Sequence, residues 1–181
     1  MSMTPAQLAI LKADILADQA LVDWITAGRP NMITAAYNAD AAPDFIVWRN
    51  SVRTEDVFDS ITWSALTPAD TPDGSQDWAN RSLACQGKQF NLQIILTGRQ
   101  SISSAKPAVR AGLQDALTNV PSGTAGALVN AGWAAVKATL SRKATRGEKL
   151  FATGAGTTAS PATLGINGLV TDADVEYALR G

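Results

Sequence analysis

The chain has 181 residues, with 15 Lys and Arg against 16 Asp and Glu, one Cys, five Trp and no His. That length buries a real core in one domain without disulfide or metal staples, and a net charge of -1 with a pI near 5.3 speaks against a protein devoted to coating nucleic acid. Without His, the commonest general acid-base, the commonest neutral metal ligand and every His-containing triad are excluded.

Thr4-Pro5-Ala6-Gln7 opens the first helix, with a Thr cap, a Pro at the first helical position and a Gln three residues after the cap. Leu8, Leu11, Ile15, Val22 and Ile25 then recur at heptad-like spacing, interrupted only by Asp18, until Gly28-Arg29-Pro30 stops the helix. The stretch carries acids among its apolar residues and no basic leader, so it reads as neither a signal peptide nor a membrane span, and synthesis in the cytosol is expected. Residues 31 to 47 read as a short helix or loop that becomes extended at Pro43. A second, short helix begins at Thr54, where Glu55 and Asp56 favour the positive end of the helix dipole.

Pro, Asp, Gly and Ser concentrate at 64 to 76, which predicts an exposed loop. From Asp77 to Thr97 the apolar spacing predicts a long helix closed by Gly98, with a strand as the alternative for its LQIILTG end. Pro107 starts another helix that Pro121-Ser122-Gly123 closes, and residues 125 to 140 read as a further helix burying Leu128, Val129, Trp133, Val136 and Leu140. Thr145-Arg146-Gly147-Glu148 is a capping box, and Thr171-Asp172-Ala173-Asp174 caps a last helix. Between them, 153 to 170 carries Pro161, Gly165 and Gly168 and predicts an extended arm or short hairpin. The expectation is a mainly α protein: a small helical bundle forming a single domain over 1 to 181, with extended loops and at most a short hairpin near the C-terminus.

The one marked charge asymmetry is Lys137, Arg142, Lys143, Arg146 and Lys149. It is either a solvated helix face or a surface that meets phosphate or an acidic partner. The TGAGTTAS run at 153 to 160 lacks the Lys of a phosphate-binding loop and reads as surface loop. The paired carboxylates Glu55-Asp56 and Asp172-Asp174 read as caps, and the lone Cys85 as a half-buried helix residue. Trp24, Trp78 and Trp133 belong to apolar stripes and are assigned to the core, whereas Trp48 and Trp63 are open between core and interface.

PDFIVWRNSV at 43 to 52, SRKATRGEKLFATGAGTTASPATL at 141 to 164 and DADVEYALR at 172 to 180 resemble a small family of structural proteins of tailed bacteriophages and prophages, over roughly a quarter of the chain. The resemblance implies a non-enzymatic virion protein, the head-tail adaptor (connector) that docks on the portal ring. It implies portal and tail proteins as partners, self-association in a ring, commonly of twelve copies, contact with DNA only in passing, and neither cofactor, metal nor membrane. The candidate partner interface is then Trp48, Arg49, Trp63, Arg142, Lys143, Arg146 and Lys149. A tail-completion or capsid-associated protein, and a small DNA-binding packaging accessory, are the alternatives.

Overall fold

The computed structural model describes residues 3–66, 83–122 and 127–180. Among them the architecture is mainly α, with nine helices and only short two-stranded pairings. Where the sequence was read as one domain, the chain divides into two compact units, Met1–Trp48 with Arg142–Gly181, and Arg49–Ser141. The first unit is therefore built from both ends of the chain.

In that first unit α1 (Pro5–Ala17) starts at the expected capping box: the Thr4 side chain accepts from the Gln7 N–H, and the Gln7 side chain accepts from the Thr4 N–H. The single helix expected to run on to Gly28 is instead two, because Asp18 adopts extended backbone (φ -108°, ψ 106°) and its carboxylate caps α2 (Gln19–Thr26) through the Ala20 N–H. A short polar side chain that offers the backbone an alternative acceptor ends one helix and begins the next. The ambiguous stretch after Arg29 resolves into α3 (Pro30–Asn38) and, beyond Pro43, the strand β1 (Ile46–Trp48). The second capping box is also present, opening α8 (Arg146–Phe151) after the strand β6 (Ser141–Lys143), which pairs with β1. The last helix, α9 (Asp172–Arg180), packs against α1 and α3. Leu11, Ile15, Leu21, Ile33, Tyr37, Val170, Val175 and Ala178 form the core, with Leu8, Trp24 and Ile25 against its edge.

Residues 153 to 170 do not project as an arm. Thr153 and Thr163 exchange backbone hydrogen bonds, closing a loop, and Ala162 is buried beside Val47 of β1 with Ala144. Gly147 explains how close the pieces lie: a Cβ there would sit 2.8 Å from Val170 and 3.3 Å from the Tyr37 carbonyl. Only Gly permits such an approach without displacement.

The second unit contains β2 (Val52–Arg53), α4 (Thr54–Asp59), a 3-10 turn (Trp63–Leu66), α5 (Leu83–Leu96), β3 (Ser101–Ile102), α6 (Pro107–Leu117), β4 (Val120–Ser122), β5 (Ala127–Val129) and α7 (Trp133–Thr139). The short helix at Thr54 and the helix at Pro107 match expectation, and LQIIL is helix to Leu96 rather than strand. The helical start expected at Asp77, with Trp78, and the expected loop residues 67–76 lie outside the described residues.

The helix expected over 125 to 140 is a correction. Ala127–Val129 forms β5, antiparallel to β4 with Val120 opposite Val129, and only Trp133–Thr139 is helical. A strand pair thus falls here, while the region near the C-terminus holds the single antiparallel bridge between Thr153 and Thr163. Gly132 (φ +89°) makes the turn into α7, where a Cβ would lie 2.9 Å from the Ser60 carbonyl. Leu92, Leu96, Leu113, Leu117, Val120, Val136 and Leu140 are buried in this unit.

Candidate partner interface

The residues singled out by sequence fall in different surroundings. In the first unit, the four cations Arg142, Lys143, Arg146 and Lys149 all have partners on its other elements or within their own segment. Arg142 forks onto Glu148, Nη1 to Oε2 at 2.7 Å and Nη2 to Oε1 at 2.5 Å. Glu148 is only 4% exposed, and the capping box explains why it points inward: its Oε2 also accepts the Thr145 N–H at 3.0 Å. Burial works against the charged form of this carboxyl, but the Arg142 hydrogen bonds, the Thr145 N–H and the Arg142 charge outweigh it, so its pKa lies below the ordinary glutamate value. The same hydrogen bonds raise Arg142 further above its usual value.

Arg146 reaches α1 and the residue that follows it, 128 to 132 positions earlier in the chain, Nη1 to Asp18 at 2.8 Å and Nη2 to Asp14 at 3.1 Å. Its guanidinium also lies 4.9 Å from the Tyr37 ring centroid, and the Tyr37 hydroxyl donates to Asp14 Oδ2 at 2.5 Å. Three helices, α1, α3 and α8, and the α1-α2 junction are fastened at this point. The Arg146 hydrogen bond holds the Asp18 carboxyl below the ordinary aspartate range, and burial followed by the Asp14 contact drives the Tyr37 phenol up. Lys143 pairs with Asp44 at 2.7 Å on the surface, an arrangement that raises its pKa. Lys149 reaches the Ala42 carbonyl at 3.5 Å and lies 5.9 Å from the Phe45 ring centroid.

Three of the four cations, Arg142, Lys143 and Arg146, therefore face four carboxylates, Asp14, Asp18, Asp44 and Glu148, within one unit. The carboxylates and Tyr37 were not foreseen as site residues. Glu148 alone had a local signal, the capping box; the others come from the opposite end of the chain. Trp48, open between core and interface from sequence, is 7% exposed, and its backbone N–H donates to the Ala162 carbonyl at 2.9 Å.

In the second unit, Arg49 is exposed and its Nε donates to the Ser141 carbonyl at 3.1 Å. The Arg49 carbonyl and that of Leu140 both receive the fully buried Ser104 hydroxyl, at 2.6 and 2.8 Å. Lys137 lies in the last turn of α7, where its charge complements the helix dipole. Trp63 is 45% exposed, stacks on Phe58 with centroids 5.3 Å apart, and donates its indole N–H to the Phe58 carbonyl at 3.0 Å. With Leu66, Leu92 and Leu96 these rings line an open groove of about 520 Å³. Of the two tryptophans left open, Trp63 has the accessible face.

No family model, curated protein or solved structure matches this chain. Among the described residues, no cluster of three or more His, Cys, Asp or Glu is placed to hold a metal ion, and no helix is long and apolar enough to cross a membrane.

Proposed function

We propose that the chain is a non-enzymatic virion structural protein of a tailed bacteriophage, a head-tail adaptor that joins the portal ring to the tail and associates with copies of itself in a ring. The observation that carries this reading is that the stretches bearing the resemblance act together. Of the resembling stretches 43–52, 141–164 and 172–180, all but residues 49–52 and 141, which belong to the second unit, come together from both ends of the chain and supply β1, most of β6, α8, the closed loop and α9 of one packed unit. The shared motif is thus the framework of a folded body, as suits a protein whose work is structural.

The charge pattern supports a protein partner over DNA. Binding to a phosphate backbone draws its strength from cations that release counterions, and here Arg142 and Arg146 are already engaged by carboxylates of their own unit. The exposed Trp63-Phe58 pair suits a protein contact, since aromatic rings are enriched in such interfaces.

Cryo-electron microscopy of purified particles tests the proposal. The expected result is density for this chain in a ring directly beneath the portal. Density on the capsid or along the tail would retain a virion protein and discard the adaptor role, and absence from particles together with strong, salt-dependent DNA binding by the isolated subunit would replace the proposal with a packaging accessory.

A further inference from the structure

We infer that the break at Asp18 is a latch that selects between two registers of the N-terminal helix: the bent form seen here, and a single straight helix from Pro5 to Thr26. The first observation is a conflict of phase. Leu11 and Ile15 set the inward face of α1, and at 3.6 residues per turn a continuous helix returns to that face at Val22, about 20° from either residue, while Leu21 lies about 80° from Leu11 and about 120° from Ile15. In the structure the opposite residue is buried: Leu21 is 1% exposed within the core, and Val22 is only half-buried. The break rotates the helix so that a different residue enters the core.

The second observation is that a single non-helical residue, Asp18, stands at the break. Pro5–Ala17 and Gln19–Thr26 are helical on either side, and neither Pro nor Gly stands between them. Asp18 has both carboxylate oxygens committed, Oδ1 to the Ala20 N–H at 3.1 Å and Oδ2 to Arg146 at 2.8 Å. Its position is also the one polar place in the otherwise apolar series Leu8, Leu11, Ile15, Val22, Ile25. With an apolar residue there, the series is an uninterrupted heptad stripe about 25 Å long, the pattern that favours one straight helix. Packed helices have discrete alternative arrangements rather than a continuum, so such a latch gives two states and not a gradual flexing.

The test is the backbone conformation at position 18, read from Cα chemical shifts of isotope-labelled full-length protein in Asp18→Leu and Asp18→Asn. Asn keeps a capping acceptor, and the expected shift there remains extended. In Asp18→Leu the secondary shift is expected to change sign to helical, with residues 5 to 26 helical throughout and the Leu21 methyls losing their contacts to the core. An extended shift at position 18 in the folded Leu variant overturns the latch. Should that variant unfold, Leu21→Ala provides the second reading: it weakens only the bent register, so the Asp18 shift is expected to move toward the helical value. An unmoved Asp18 shift in folded Leu21→Ala overturns the inference.

Discussion

Replacing Arg142 with Ala leaves the Glu148 carboxylate, 4% exposed, without the fork that holds it at 2.5 and 2.7 Å. Breaking a fully buried pair by removing one partner costs about 3–5 kcal/mol. Because the Arg142 side chain is itself 36% exposed, solvent reaches part of the pair, and the Thr145 N–H still donates to Glu148; the expected loss is about 2 kcal/mol. For a chain of this length that corresponds to roughly 4–8 °C in Tm. The assay is urea unfolding followed by circular dichroism, at neutral pH and through the acid range. Glu148 has a folded pKa below its unfolded value, so its contribution is full above the unfolded pKa near 4.3 and is lost as pH falls through the folded pKa. The wild-type and Arg142→Ala curves should therefore converge on acidification. A loss under about 0.5 kcal/mol at neutral pH, or a difference that does not shrink in acid, would refute the assignment of this pair as a buried fastening rather than a surface contact.

Two further outcomes follow from the same unit. Tyr37→Phe removes the hydroxyl that donates to Asp14 at 2.5 Å while keeping the ring under Arg146, and the expected cost is about 1–2 kcal/mol in the same unfolding experiment; no measurable change would show that the hydroxyl contributes nothing net. Gly147→Ala places a methyl 2.8 Å from Val170 and 3.3 Å from the Tyr37 carbonyl, so a loss of about 1–3 kcal/mol is expected, against the gain of a few tenths to 1 kcal/mol that Gly to Ala gives at an open helix position. Stabilisation would mean that α8 has room to move away.

The ion pairs also change which substitutions can probe a partner surface. Reversing Arg142 or Arg146 disturbs the fold itself, through Glu148 and through Asp14 and Asp18. Lys149, whose Nζ meets a carbonyl at 3.5 Å and a ring face and no carboxylate among the described residues, and exposed Trp63 are the places where an assembly defect would report a lost partner contact.

Much of the local structure was legible because it is locally encoded. Thr4 with Gln7, and Thr145 with Glu148, carry acceptor and donor within one turn, and both boxes form as expected. Pro107 at an early helical position and the cap at Thr171–Asp174 marked two further helices, and the mainly α class with them. Where the sequence was misread, competing long-range contacts decided. Ala127–Val129 stands in a stretch of apolar and small residues that was read as helix, yet it pairs as a strand with Val120–Ser122. The apolar stripe from Leu8 to Ile25 suggested one helix, but burying Leu21 and pairing Asp18 with Arg146 favoured two.

By itself, the sequence determined the helix starts at Pro5, Pro107, Arg146 and Asp172, the lack of imidazole chemistry and the presence of a basic cluster near residue 142. Only tertiary structure decided what that cluster is for within the chain. Its counter-charges Asp14 and Asp18 stand more than 120 positions away, and a Coulombic partner at that separation leaves no trace in periodicity or local spacing. Folding brings both chain ends into one unit, and proximity in space then turns a run of cations into a set of internal fastenings.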